Sequence, residues 1–170
     1  PTVAAEEGPV IDVSKSERFL LGQPVDSELV IGIVSSVGTE SNRVLTSLKD
    51  RLQGFGYDSV EIKVSSLMSS AGHQIGSDEY ERIKYFMNAG DELRRKTNNN
   101  GILALGASKK ISEVRPTEEG KRTAYIVNSL KHPEEVHVLR KIYQQGFYLL
   151  GIHADVRRRL AHLVDDKCIE

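Results

Sequence analysis

The chain has a single cysteine, Cys168, so it can form no internal disulfide and no cysteine-rich zinc site. That is what a reducing, cytoplasmic setting would allow. No apolar run approaches the ~20 residues that a membrane span needs. No basic segment followed by an apolar core marks the N-terminus as a secretory leader. An excess of one charge is missing too. Lysines and arginines number 23 against 24 acids, a formal net charge of −1, so no overall field draws the chain to nucleic acid or to a membrane. Internal repeats and low-complexity tracts are also absent.

What is present describes an ordinary globular domain. Hydrophobic residues make up 39% and charged residues 28% of 170 positions, enough for one domain with a sizeable core. The charge is unevenly placed. Residues 1–28 carry six acids against Lys15 and Arg18. Residues 1–27 show no periodicity and read as an acidic arm, either a solvated leader or an autoinhibitory tether, ahead of a mildly basic body from 28 to 170. The last residues, Asp165 to Glu170, show no tapering tail, so the chain reads as part of something longer.

Short apolar runs alternate with segments of helical period. Leu29–Ser35 is nearly unbroken in apolar character, as in strands covered on both faces. Ser41–Gln53 places Val44, Leu45, Leu48 and Leu52 on one stripe, and Gly54-Phe55-Gly56 signals its end. Val60–Val64 alternates and predicts an edge strand. Residues 65–77 read as loop or a short helical turn. Ser77-Asp78 caps a helix running towards Lys96, and a further helix spans Ile102–Val114 until Arg115-Pro116 stops it. A charged loop, 117–122, leads to a strand over Thr123–Ser129. His132-Pro133-Glu134-Glu135 then opens a helix to about Gln145. Phe147–His153 is the last strand, and Asp155 caps a helix carrying Arg157, Arg158, Arg159, Leu160 and Leu163. Strand–helix alternation makes a mainly parallel α/β sheet with helices on both faces the economical fold. Such a sheet binds its ligand beyond the carboxyl ends of its strands.

The junction after the first strand is where chemistry is expected. A phosphate loop follows a buried strand, reads G-x-x-x-x-G-K-[ST], and ends in a helix whose N-terminus faces the phosphates. Here the strand runs into Ser35-Ser36-Val37-Gly38-Thr39-Glu40-Ser41-Asn42. Aligned by strand end and helix start, Ser35 and Glu40 replace the two glycines, Ser41 the lysine and Asn42 the Ser/Thr. Gly38 keeps an internal position that is often glycine in small-molecule kinases. Without the lysine, and with a carboxylate at the helix N-terminus, ATP hydrolysis by the usual route is not expected. The plain alternative is a polar strand-to-helix turn in which Thr39 or Ser41 is the N-cap.

A second segment, Arg122 to Arg140, is strand, sharp turn and helix. Nucleotide kinases carry an acid, a base and a downstream Glu there; this chain offers Asn128, Lys131 and Glu135. Lys131 is the first choice for a phosphate-binding cation and Arg157, after the last strand, the second. Arg158 and Arg159 share that run, and a solvated helix face is the default for it. His132 divides between a ligand contact and a helix-start residue, and His153 reads as structural. Tyr80, Tyr85 and Phe86 read as packing residues. Arg82, Arg94 and Arg95 are surface candidates for anion binding.

Taken together, Ile31–Thr39, Tyr80–Ile83 with Met87–Gly90 and Leu93-Arg94, and above all Tyr125–Val136 resemble the N-terminal P-loop kinase-like domain of bacterial anti-phage deoxycytidylate deaminases. The likeness runs from about Glu28 to Asp166. It implies a three-layer P-loop NTPase fold of the nucleotide-kinase type, a small nucleotide ligand, homo-oligomers and a C-terminal deaminase domain as partner. It also implies that zinc belongs to that other domain, whose C-x-x-C ligands a chain with one cysteine cannot supply. The expected function is regulatory: nucleotide sensing coupled to conversion of deoxycytidine to deoxyuridine nucleotides. A catalytic deoxynucleotide kinase and a purely structural oligomerisation module are the competing readings.

Overall fold

The computed structural model describes residues 28–68, 78–116 and 121–167. The acidic arm, His73, Ser77 and Cys168 lie outside these residues. Among the described residues there are four strands: β1 Leu29–Ser35, β2 Asp58–Lys63, β3 Thr123–Leu130 and β4 Phe147–Ile152. They form one sheet in the order β2-β3-β1-β4, and every neighbouring pair is parallel. The helices are α1 Ser41–Gly54, α2 Glu79–Thr97, α3 Ile102–Val114, α4 Pro133–Tyr143 and α5 Val156–Ala161. The fold is α/β with helices on both faces of a parallel sheet.

Strand alternation separates two cores. On one face Val30, Tyr125 and Val127 pack with Leu103, Ala107 and Ile111 of α3 and with Leu139 of α4. On the other, Ile31, Ile33, Ala124 and Ile126 pack with Leu45 and Leu52 of α1. The local signals explain the helix ends. Gly56, at φ 76°, takes the left-handed turn after α1, and its N–H closes on the Gln53 carbonyl at 2.9 Å. Asp78 caps α2 by accepting from the Tyr80 N–H.

Several boundaries differ from the sequence reading. Val64 leaves β2 and begins a 3-10 turn, Val64–Met68, where its side chain is buried. α4 stops at Tyr143, and Gln144–Gly146 is a 3-10 turn. The last helix is α-helical only to Ala161 and continues as a π turn, His162–Asp166. β4 reads as a fully apolar run, yet it lies at a sheet edge with only Phe147 buried. Tyr148 and Leu149 are 57% and 42% exposed. Tyr80 is exposed too, while Tyr85 and Phe86 meet edge to face at 5.3 Å.

A bulge in β3 sets the geometry at the carboxyl ends of the strands. Gly32 pairs with Val127, but Val34 pairs with Leu130, so Asn128 and Ser129 together oppose Ile33. Ser129 takes φ 75° to make the extra step. The extra residue reverses the alternation, returning Leu130 to the face of Tyr125 and Val127. There it fills the space over Gly32, where an added Cβ would lie 2.7 Å from Leu130 Cδ1.

Candidate functional site

Beyond the carboxyl ends of β1, β3 and β4 lies an open cleft of about 370 Å³. Ser35 and Ser36 from the loop, Lys131 after β3, and Gly151 and His153 at the end of β4 line it. The bulge brings Lys131 across to β1, and its Nζ donates to the Ser35 carbonyl at 3.0 Å. Lys131 is exposed over much of its length. Desolvation nevertheless holds its pKa below the ordinary lysine value, and the Glu135 carboxylate pulls the other way. Among the described residues lining the cleft, Lys131 is the one lysine or arginine.

The loop itself is folded tightly. Thr39 N–H donates to the Ser36 carbonyl at 3.2 Å and Ser41 N–H to the Thr39 carbonyl at 2.7 Å. Two of the backbone donors that a phosphate would use are therefore committed internally. Gly38 sits at φ 81°, a conformation that L side chains rarely adopt. The N-cap of α1 is Glu40, without a side-chain cap bond, so neither Thr39 nor Ser41 plays that part. The carboxylate turns aside to Arg158 Nε at 2.7 Å, with Arg43 at 3.6 Å. The hydrogen bond from Arg158 holds the Glu40 carboxyl below its ordinary value. Val37 is exposed at the loop tip, and Asn42 lies exposed in the first turn of α1.

The second segment divides by role. Glu135 is fully buried. Its Oε2 accepts from the Lys131 and His132 N–H groups and its Oε1 from Arg94 Nη2 at 2.7 Å. With His132 Nδ1 accepting from the Glu134 N–H, this forms a capping box on α4. Glu135 therefore has its bonds inside the protein, and Arg94, with a side chain 11% exposed, is no surface residue. His132-Pro133-Glu134 has the H-x-E spacing of zinc deaminases, but here it serves the helix start. Asn128 is buried, and its Nδ2 donates to Glu61 Oε1 at 3.0 Å. Lys49 on α1 reaches the other oxygen of Glu61 at 2.6 Å. Burial raises the Glu61 pKa, but the bonds from Lys49 and Asn128 outweigh it and leave the group below its ordinary value.

The structure places Arg157 outside this group: it is exposed, and among the described residues only its backbone N–H engages, donating to the Asp155 cap at 2.8 Å. Arg158 and Arg159 reach the loop instead, Arg159 through Nη1 to the Val37 carbonyl at 3.1 Å. Three consecutive arginines point about 100° apart around a helix, and only packing selects among them. Among the described residues, no cluster of three or more His, Cys, Asp or Glu side chains could hold a metal, and no helix is long and apolar enough to cross a membrane. No protein-family model matches the chain, and no curated protein matches its sequence.

Proposed function

We propose that this chain is a nucleotide-responsive regulatory domain built on a P-loop kinase-like frame that no longer transfers phosphoryl groups. In this reading it is the cytoplasmic N-terminal domain of an anti-phage deoxycytidine nucleotide deaminase, with zinc and the deamination chemistry in a C-terminal partner domain. The supporting observation is the contact between Lys131 Nζ and the Ser35 carbonyl. It brings a partly desolvated ammonium group, from a neighbouring strand, to the mouth of a loop that has no lysine of its own. The strand–loop–helix frame and the cleft at the carboxyl ends of a parallel sheet support the same reading. Glu40 at the start of α1 argues for modest affinity, because a carboxylate there opposes an incoming phosphate.

Calorimetry with deoxynucleoside mono- and triphosphates tests it. Binding is expected to be weak, to fall steeply as salt is raised, and to weaken about tenfold or more in Lys131→Ala, as loss of a charged hydrogen bond implies. Affinity that is unchanged by that substitution would remove Lys131 from the site. A structural, self-associating module is the second reading. It is favoured by the exposed apolar side chains of Tyr148 and Leu149 on β4 and of Val156 and Leu160 on α5.

A further inference from the structure

The segment after β4 lies directly on the loop. A Cβ added at Gly38 would stand 2.7 Å from the Arg159 carbonyl oxygen and 3.0 Å from Leu163 Cδ1. Arg158 Nε holds the Glu40 carboxylate at 2.7 Å, and Arg159 Nη1 holds the Val37 carbonyl at 3.1 Å. Glycine at position 38 is thus needed twice, for its positive φ and because the helix backbone leaves no room for a side chain. The contact is close but not fully satisfied. Thr39 Oγ1 and Arg159 Nε are buried, one from each side of it, and neither has a hydrogen-bond partner among the described residues. The ion pair that closes it lies near solvent, with the Arg158 side chain 59% exposed, and exposed pairs are readily exchanged for another anion.

We propose that residues 155–166 are a latch over the loop, closed by the Arg158–Glu40 pair and opened by a phosphate-bearing anion that takes the place of the Glu40 carboxylate on Arg158. This inference rests on reading the loop as a phosphate contact. A phosphate offers more charge and more acceptor oxygens than one carboxylate, and guanidinium groups bind it through paired hydrogen bonds. Once the latch lifts, the buried donors on Thr39 and Arg159 also gain access to acceptors. The carboxylate that weakens the loop as a phosphate site is, on this account, the internal counter-ion that keeps it closed.

A mutant cycle on the full chain decides the matter, with the wild type, Glu40→Gln, Arg158→Ala and the double variant titrated with inorganic tripolyphosphate. Hydrogen exchange is followed over residues 156–166 with and without the anion, and thermal melts confirm that each variant folds. Glu40→Gln is expected to tighten binding about fivefold or more where Arg158 is present and to gain little where it is absent. The anion is expected to speed exchange across 156–166 in the wild type. Equal tightening in both backgrounds would show that Glu40 acts by repulsion alone and overturn the latch, as would exchange that binding leaves unchanged. Either result leaves the phosphate reading standing. Absence of binding in all four proteins defeats both.

Discussion

At the scale of single residues, Ser129 shapes the geometry of the cleft through the bulge in β3. It holds φ 75° without being glycine, and the bulge it completes carries Lys131 from β3 to the end of β1. A left-handed conformation costs an L residue roughly 1–2 kcal/mol, part of which glycine returns as chain entropy. Ser129→Gly is therefore expected to stabilise the fold by about 0.5–1 kcal/mol, as measured by urea denaturation, with phosphate affinity retained. Ser129→Val, with a branched Cβ at positive φ, is expected to destabilise it by more than about 1 kcal/mol. If both variants unfolded at the wild-type midpoint, the strained turn would not be the device that places Lys131.

Between elements, the Glu61–Lys49–Asn128 cluster joins β2, α1 and β3 at the side of the loop away from Arg158. The Glu61 carboxyl is held below its ordinary value of 4.5, so unfolded chains bind its proton more readily than folded ones. Its contribution is then complete above pH ~4.5 and disappears as pH falls through the lower folded value. Glu61→Gln is expected to cost about 1 kcal/mol at pH 7, a modest figure because Lys49 is partly exposed, and its deficit is expected to shrink as pH falls below ~4.5. Denaturation curves stepped from pH 7 to pH 3 check this. A deficit independent of pH would mean that Glu61 acts through packing and not through charge. The Glu135–Arg94 pair ties α4 to α2 in the same way, but in the interior and together with a helix cap.

At the scale of the whole molecule, the described residues do not bring together the groups that a phosphate loop uses for phosphoryl transfer. Ser41 brings no charge to the loop, Asn128 is turned to Glu61, and the loop amides of Thr39 and Ser41 are bonded internally. The chain is expected to transfer no phosphate from ATP to deoxynucleoside monophosphates above a protein-free control, at any magnesium concentration. Steady turnover that is lost on Lys131→Ala would overturn that expectation and restore the kinase reading.

The sequence by itself determined the succession of strands and helices, because apolar period and helix-end signals such as Asp78, Pro133 and Gly56 act over a few residues. It also pointed to the loop at 35–42 and to Lys131, since both sit where a parallel sheet opens. Tertiary structure alone decided which groups meet. The parity reversal at Ser129, the commitment of Glu135 to a buried cap, and the choice of Arg158 and Arg159 over Arg157 are such cases. So is the exposure of β4, a strand whose composition reads as interior but whose place at the sheet edge leaves it half bare. Apart from the local cap bonds of Glu135 to the Lys131 and His132 N–H groups, each depends on contacts between residues tens of positions apart. There, local propensity carries no information, and packing of the whole sheet chooses among side chains that the sequence leaves equivalent.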